Sequence, residues 1–241
     1  MKNVLMFLVL STMSLNIQAT LLSDLLNGQS ITAGDKLFDQ WEVLDESSTD
    51  LNFTGVNTAN IDVTALNDGD LNPGPGLRFD VLNDEFLVEG DDIYAYLDFM
   101  FGFRVTVLDL TLLVKDNSLS LTGAELVAPS SLASVFIEEK IFTDASASLN
   151  IDNYIGIKDV ELSDVFGSQT AKLFDSAAFN PRNSIYVTKN ILVEAWDVGE
   201  SANLRSFEQR FSQVESVPEP ASLWMFALGV VMIGVRKKRL F

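Results

Sequence analysis

The chain has 241 residues, 47% apolar, 10% aromatic and 21% charged, the composition of a folded protein and not of a disordered one. Its 34 acidic residues against 16 basic ones give a formal charge of −18, which repels phosphate backbones and argues against any nucleic-acid partner. It has no cysteine and no histidine, so disulfides, His or Cys zinc sites, haem, iron–sulfur clusters and Ser-His-Asp or Cys-His nucleophile systems are excluded.

Residues 1–19 have the outline of a secretory signal peptide. Lys2 supplies the positive start, Val4 to Leu10 the apolar core, and Ile17-Gln18-Ala19 a cleavage site. That core is too short to span a bilayer as a signal anchor. Residues 20–216 form the expected body, long enough for one domain with its own core. The terminal segments hold five of the 16 basic residues and one of the 34 acidic ones, so the body carries 11 against 33, a net of −22. Such a surface attracts divalent cations.

A short helical turn is expected within Thr20–Ser30, where Leu21, Leu22, Leu25 and Leu26 precede Gly28. After Gly34 the apolar period becomes two, the period of a strand with one face inward. Leu37, Asp39, Trp41 and Val43 alternate with Phe38, Gln40 and Glu42. Ile61, Val63 and Ala65 alternate with Asp62 and Thr64, and Leu77, Phe79 and Val81 with Arg78 and Asp80. A long turn, Asn67 to Gly76, separates those two strands.

The strongest alternation runs from Ile93 to Val107, with Ala95, Leu97, Phe99, Phe101, Phe103 and Val105 between. Fifteen residues exceed a usual strand, and the reading splits it between two sheets by a bend near Gly102. Further strands are expected at Leu110 to Lys115, Ser118 to Leu126, Leu132 to Phe142, Ile155 to Leu162, Ala171 to Phe174 and Ser184 to Trp196. Turns are expected at Lys115-Asp116-Asn117, Ala128-Pro129-Ser130, Asp164 to Ser168 and Asn180-Pro181. Ala202 to Val214 fits both periods, and the strand is favoured, as a final edge. The total is a single all-β domain of about 11 strands, a β-sandwich of jelly-roll type.

The chain closes with Val217-Pro218-Glu219-Pro220-Ala221-Ser222, an apolar run from Leu223 to Val235, and the basic cluster Arg236, Lys237, Lys238, Arg239. The prolines disfavour helix ahead of the run and leave an extended, accessible peptide. Thirteen residues at about 1.5 Å each span roughly 20 Å, short of a hydrocarbon core of roughly 30 Å. The cations hold the last residues at the cytoplasmic face. This order of peptide, short transmembrane helix and basic stop suits a sorting tail better than a permanent anchor.

Val217 to Ser222, with the apolar stretch and basic end, resembles a PEP-CTERM sorting signal. The resemblance implies a substrate of exosortase, a membrane-embedded transpeptidase-like enzyme of Gram-negative bacteria that often make exopolysaccharide. The body resembles an uncharacterised group of exported PEP-CTERM proteins. The resembling pieces are Gly34 to Phe38, Gly76 to Phe79, Gly102 to Val107, Asp116 to Leu121, Ser184 to Ile191 and Phe207 to Gln213. Each is a strand with its turn, and the group brings no activity to transfer.

Chemistry-bearing residues are few. Asp68 and Asp70, with Asn67 and Asn72, offer oxygen ligands to calcium, as do Asp84, Glu85, Asp91 and Asp92, or Asp144 with Asp152 and Asn153. None has the spacing of an EF-hand, and Asp, Asn and Gly also simply make turns. Carboxylate pairs for glycoside hydrolysis arise by chance among 34 acids, so the chain is expected not to be an enzyme. Trp41, Trp196, Tyr94, Tyr96 and Tyr186 are candidates for stacking on sugar rings, against the competing role of core packing.

The sequence thus points to an exported, non-catalytic surface or matrix protein, briefly held in the inner membrane and associated with extracellular polysaccharide. The alternative is a lectin-like module, calcium-assisted or not, that binds the polysaccharide directly.

Overall fold

A computed structural model describes residues 19–150 and 152–216. The expected signal peptide, transmembrane helix and basic stop lie outside the described residues, among which no helix is long and apolar enough to cross a membrane. The opening leucines form β1 (Thr20–Leu21) and a single helical turn, α1 (Leu22–Leu26), that buries Leu22 and Leu25. There follow β2 (Ile31–Ala33), β3 (Lys36–Ser48), a 3-10 turn (Thr58–Asn60), β4 (Ile61–Leu66), β5 (Gly76–Val81), β6 (Leu87–Glu89) and β7 (Ala95–Val107). The second half holds β8 (Leu112–Val127), β9 (Leu132–Phe142), α2 (Ala145–Ser148), β10 (Gly156–Val165) and β11 (Ser168–Lys172). It ends with β12 (Phe174–Arg182), β13 (Ser184–Ala195) and β14 (Ser201–Glu215).

The strands form two seven-stranded antiparallel sheets. The first runs β1-β4-β5-β14-β8-β12, with β6 also paired to β14; the second runs β11-β10-β9-β13-β7-β3-β2. Period-two alternation turns one face of each sheet inward, and the two apolar faces pack as a sandwich. Aromatic rings cross the interface. Phe79 of the first sheet stacks on Phe207 at 4.5 Å between centroids and meets Phe101 of the second at 5.8 Å. Phe38 and Phe211 meet likewise at 5.5 Å. Each such fully buried side chain contributes about 1.5–3 kcal/mol.

The all-β, two-sheet reading stands, with fourteen strands among the described residues where about eleven were expected. Four local expectations are corrected. First, β7 does not divide between sheets, because it pairs with β13 without interruption from Ala95↔Ala195 to Thr106↔Ser184. The irregularity lies in its other neighbour, β3, where the register slips twice. Gln40 there has φ 55°, a bulge that reverses parity, so Lys36, Phe38 and Trp41 are buried while Val43 is exposed.

Second, Lys115-Asp116-Asn117 is not a turn but part of the single sixteen-residue strand β8, held there because the Asn117 side chain has partners inside the sandwich. Third, Asn180-Pro181 lies within β12, an edge strand, at an irregularity between Ala178 and Arg182 where a missing N–H costs no ladder bond. Fourth, β14 is a strand as favoured, but central, flanked by β5 and β6 on one side and β8 on the other.

Candidate functional site

The chain leaves the body from the middle of the first sheet. Ser216, next after β14, donates its N–H to the Thr111 carbonyl at 2.7 Å. Val217, Pro218, Glu219, Pro220, Ala221 and Ser222 follow at once; they and Arg236, Lys237, Lys238 and Arg239 lie outside the described residues.

The acidic loops are engaged by protein donors, some within the same turn and others on distant strands. Asp68 accepts from Arg210 Nη2 at 3.0 and 3.2 Å, while Asp70 lies two residues on in the same loop. Asp84 accepts from Asn203 Nδ2 at 2.9 Å and from Arg205, contacts that hold its carboxyl below the ordinary range. Glu85 accepts from the Asn57 N–H and the Asn60 amide, both at 2.6 Å. Asp91 accepts from the Ile93 N–H at 3.1 Å and Asp92 from the Val198 N–H at 3.3 Å. Asp144 caps α2 through the Ala147 N–H at 3.0 Å, and Asp152 donates its own N–H to Asn150. Among the described residues no three His, Cys, Asp or Glu side chains form a group able to hold a metal ion.

The five candidate aromatics divide by environment. Trp41 is buried, stacked on Phe103 at 4.3 Å, and Tyr186 is buried with its hydroxyl on Glu42. Tyr94, Tyr96 and Trp196 come together where β7 begins and β13 ends. Tyr94 lies 5.3 Å from Tyr96 in a stacked arrangement and 5.5 Å from Trp196. Trp196 is 44% exposed, with Ile93 and Val198 more exposed still.

Because Tyr96 alternates with the buried Ala95 and Leu97, it belongs to the outer face of the second sheet, where it pairs with Glu194. Burial, together with the neighbouring Glu194 carboxylate, raises the Tyr94 hydroxyl above its usual pKa, so it stays a donor at any physiological pH. Ser134 fixes Glu194 at 2.7 Å. A cleft of about 460 Å³ adjoins this cluster, lined by Ser48, Asp50, Glu85, Glu89, Asp91 and Tyr96 among others.

The sandwich interior holds a polar group that the sequence reading missed. Lys158 of β10, Glu139 of β9 and Lys189 of β13 are direct cross-strand neighbours in one row of the second sheet. Lys158 Nζ donates to Glu139 Oε1 at 2.5 Å, and Lys189 donates to Glu139 Oε2. Facing them from the first sheet, Asn117 bonds both Lys158 and Glu139, and Gln209 Nε2 donates to Glu139 Oε1 at 2.8 Å.

All five side chains are buried. Burial pushes the Lys158 amine down to about 8 and lowers Lys189 as well. Burial alone would raise Glu139, but its two lysines outweigh that and leave the carboxyl below its ordinary value. The sequence signal was there: each of the three charges occupies the inward parity of an otherwise apolar strand.

The decisive similarity to known proteins falls on the tail. Residues 216–239 carry a PEP-CTERM protein-sorting motif. The motif covers a small part of the chain, begins at Ser216, which bonds the Thr111 carbonyl at the end of the body, and is consistent with an exosortase substrate.

No curated protein matches the chain. Among solved structures it is similar to TmCBM61 in complex with β-1,4-galactotriose, at 12% identity and TM-score 0.25, over 73% of this chain and 89% of that one. A glycosylation-associated protein complex (Gap123) from Streptococcus agalactiae matches at 11% and 0.23, over 75% and 27%. Trichoderma harzianum endoglucanase 3 of family GH12 matches at 8% and 0.20, over 73% and 97%. Similarity at these TM-scores carries no argument about function.

Proposed function

We propose that the protein is a non-catalytic component of the cell surface or extracellular matrix, associated with extracellular polysaccharide. In this reading residues 1–19 direct export across the inner membrane, residues 223–235 hold the chain there transiently, and an exosortase-type peptidase cuts near residues 217–222. The body, residues 20–216, is then released or transferred to the surface. The observation that supports this is the sorting motif starting at Ser216, directly after β14 ends at Glu215. The lack of histidine and cysteine, and loop carboxylates already bonded to protein donors, favour a structural role over catalysis.

The test is the mass of the mature C-terminus in the producing bacterium. Wild-type protein should lack Arg236 to Arg239, whereas the Pro218→Ala, Pro220→Ala double variant should remain in the inner membrane with Phe241 in place. Wild-type protein that retains Phe241 at steady state would sink the sorting account.

A second reading, a lectin-like module, is favoured by one feature: the Tyr94, Tyr96 and Trp196 cluster beside a polar cleft. Aromatic faces take the apolar face of a sugar ring, and the surrounding carboxylates accept from its hydroxyls. The acidic setting suits neutral sugars over anionic ones.

A further inference from the structure

The polar group sealed between the sheets contains more than an ion pair requires. An amine (Lys158), a carboxamide (Asn117) and a carboxylate (Glu139) are each in hydrogen-bond contact with the other two, and none is more than 1% exposed. These are the three groups needed to move an acyl carbon from an amide nitrogen to an amine: nucleophile, electrophile and a proton carrier touching both. We propose that Lys158 and Asn117 become joined by an intramolecular isopeptide bond, formed with Glu139 as the proton carrier.

The step balances without any co-reactant. Glu139 Oε1 takes a proton from the Lys158 ammonium, and the freed Nζ attacks Asn117 Cγ. Glu139 returns the proton to Nδ2, the Cγ–Nδ2 bond breaks, and one new amide remains. Ammonia departs and takes up the remaining proton as ammonium, while Glu139 ends as the carboxylate it began as. No oxidant is consumed, which suits an exported chain without cysteine.

Charge gives the reaction its direction. Two buried lysines against one buried glutamate leave this cluster with one positive charge in excess, and Asp175, the other carboxylate acting on Lys158, lies partly in solvent. An unbalanced interior charge is strongly disfavoured. Amide formation removes it, leaving Glu139 and Lys189 as a neutral pair with Lys189 also over the Phe207 ring at 5.3 Å. The lowered basicity of Lys158 supplies free amine near neutral pH, and the absence of exposed surface around the group keeps out the water that would hydrolyse the product. The bond would tie β8 of one sheet to β10 of the other across 41 residues of chain.

The test is a tryptic digest of the purified, denatured full chain. Asn117 falls in peptide 116–140 and Lys158 in 141–172, where an acylated Lys158 no longer directs cleavage. We expect one branched species, lighter by one ammonia than its two arms together, in the wild type. Asn117→Ala and Glu139→Gln should give only separate linear peptides. Linear peptides 116–140, 141–158 and 159–172 from folded wild-type protein would overturn the proposal. A branched species that persists in Glu139→Gln would overturn the role given to Glu139. The wild-type digest decides the bond itself, so a variant that fails to fold leaves nothing open.

Discussion

Tyr186 lies across the backbone of Gly102: a Cβ built on that glycine would stand 2.2 Å from the tyrosine hydroxyl oxygen and 2.7 Å from Cζ. The two residues are diagonal neighbours on β13 and β7, since Gly102 pairs with Thr188 and Tyr186 with Arg104. The missing side chain lets the ring reach over β7 to donate to Glu42 of β3 at 2.5 Å, so one tyrosine ties three strands. Gly102→Ala must therefore displace a buried aromatic ring and break its hydrogen bond. The expected loss is about 2–3 kcal/mol, read as a lower denaturation midpoint with unchanged slope.

Glu200 does for a loop what a helix cap does for a helix. Its carboxylate accepts from the N–H groups of Ser130, Ser131, Leu132 and Asp197, at 2.5 to 3.2 Å. Burial opposes its charge, but these donors prevail and hold the carboxyl below its usual pKa. A lowered carboxylate stabilises the fold fully above the unfolded value and loses that contribution as pH falls through the folded one. Glu200→Ala should cost about 3 kcal/mol at pH 7 through four orphaned donors, and the gap from wild type should close in acid, as thermal unfolding at pH 7 and below pH 4 would show.

Lys158 provides a titration that reports its own covalent state. In a chain with a free amine, burial holds it near 8. The unfolded chain then binds that proton more tightly, so stability is lowest below pH 8 and rises as pH climbs toward the ordinary lysine value. Asn117→Ala, which keeps the amine, should gain about 2 kcal/mol relative to wild type between pH 7.5 and 9.5. The wild type with its amide formed lacks that gain. Paired urea titrations at the two pH values make the comparison.

Trp196→Ala and Tyr94→Ala address the lectin-like reading. Trp196 is exposed and Tyr94 half-buried, both at the end of the sheet where β7 begins, so stability should fall by no more than about 1–2 kcal/mol. Migration in gels containing extracellular polysaccharide from the producing bacterium should lose its retardation at least about tenfold, as expected for a lost stacking partner. Gels run with and without chelator separate a calcium-assisted site from a metal-free one. Equal migration of wild type and variants, with no retardation of either, would remove the lectin-like reading and leave the matrix one standing.

Period-two alternation carried the two-sheet architecture because a strand buried on one face must show it, as Ala95 to Val107 does. The errors arose where a single residue answers to a partner far along the chain. Asn117 reads locally as a turn former, yet its amide belongs to Glu139 and Lys158 in the opposite sheet. Gln40 gives no hint that it will take positive φ and move Phe38 and Trp41 to the same side. Of the aromatics, Trp196 and Tyr94 could be nominated but not joined, because the pairing of β7 with β13 that unites them spans a hundred residues. Lys189 among Ile185, Val187 and Ile191 was the most readable omission: a cation at core parity needs a buried anion, and Glu139 among Ile137 and Ile141 answers it.

The position of β14 bears on how the body meets mechanical load. Any pull applied through the tail arrives at a strand laced on both sides, to β5 along Ser206–Arg210 and to β8 along almost its whole length. An edge strand would unzip one bond at a time. Here tension along the strand axis must shear many bonds together before Phe207 or Phe211 leaves the core, so whatever grips the tail grips the most firmly rooted strand of its sheet.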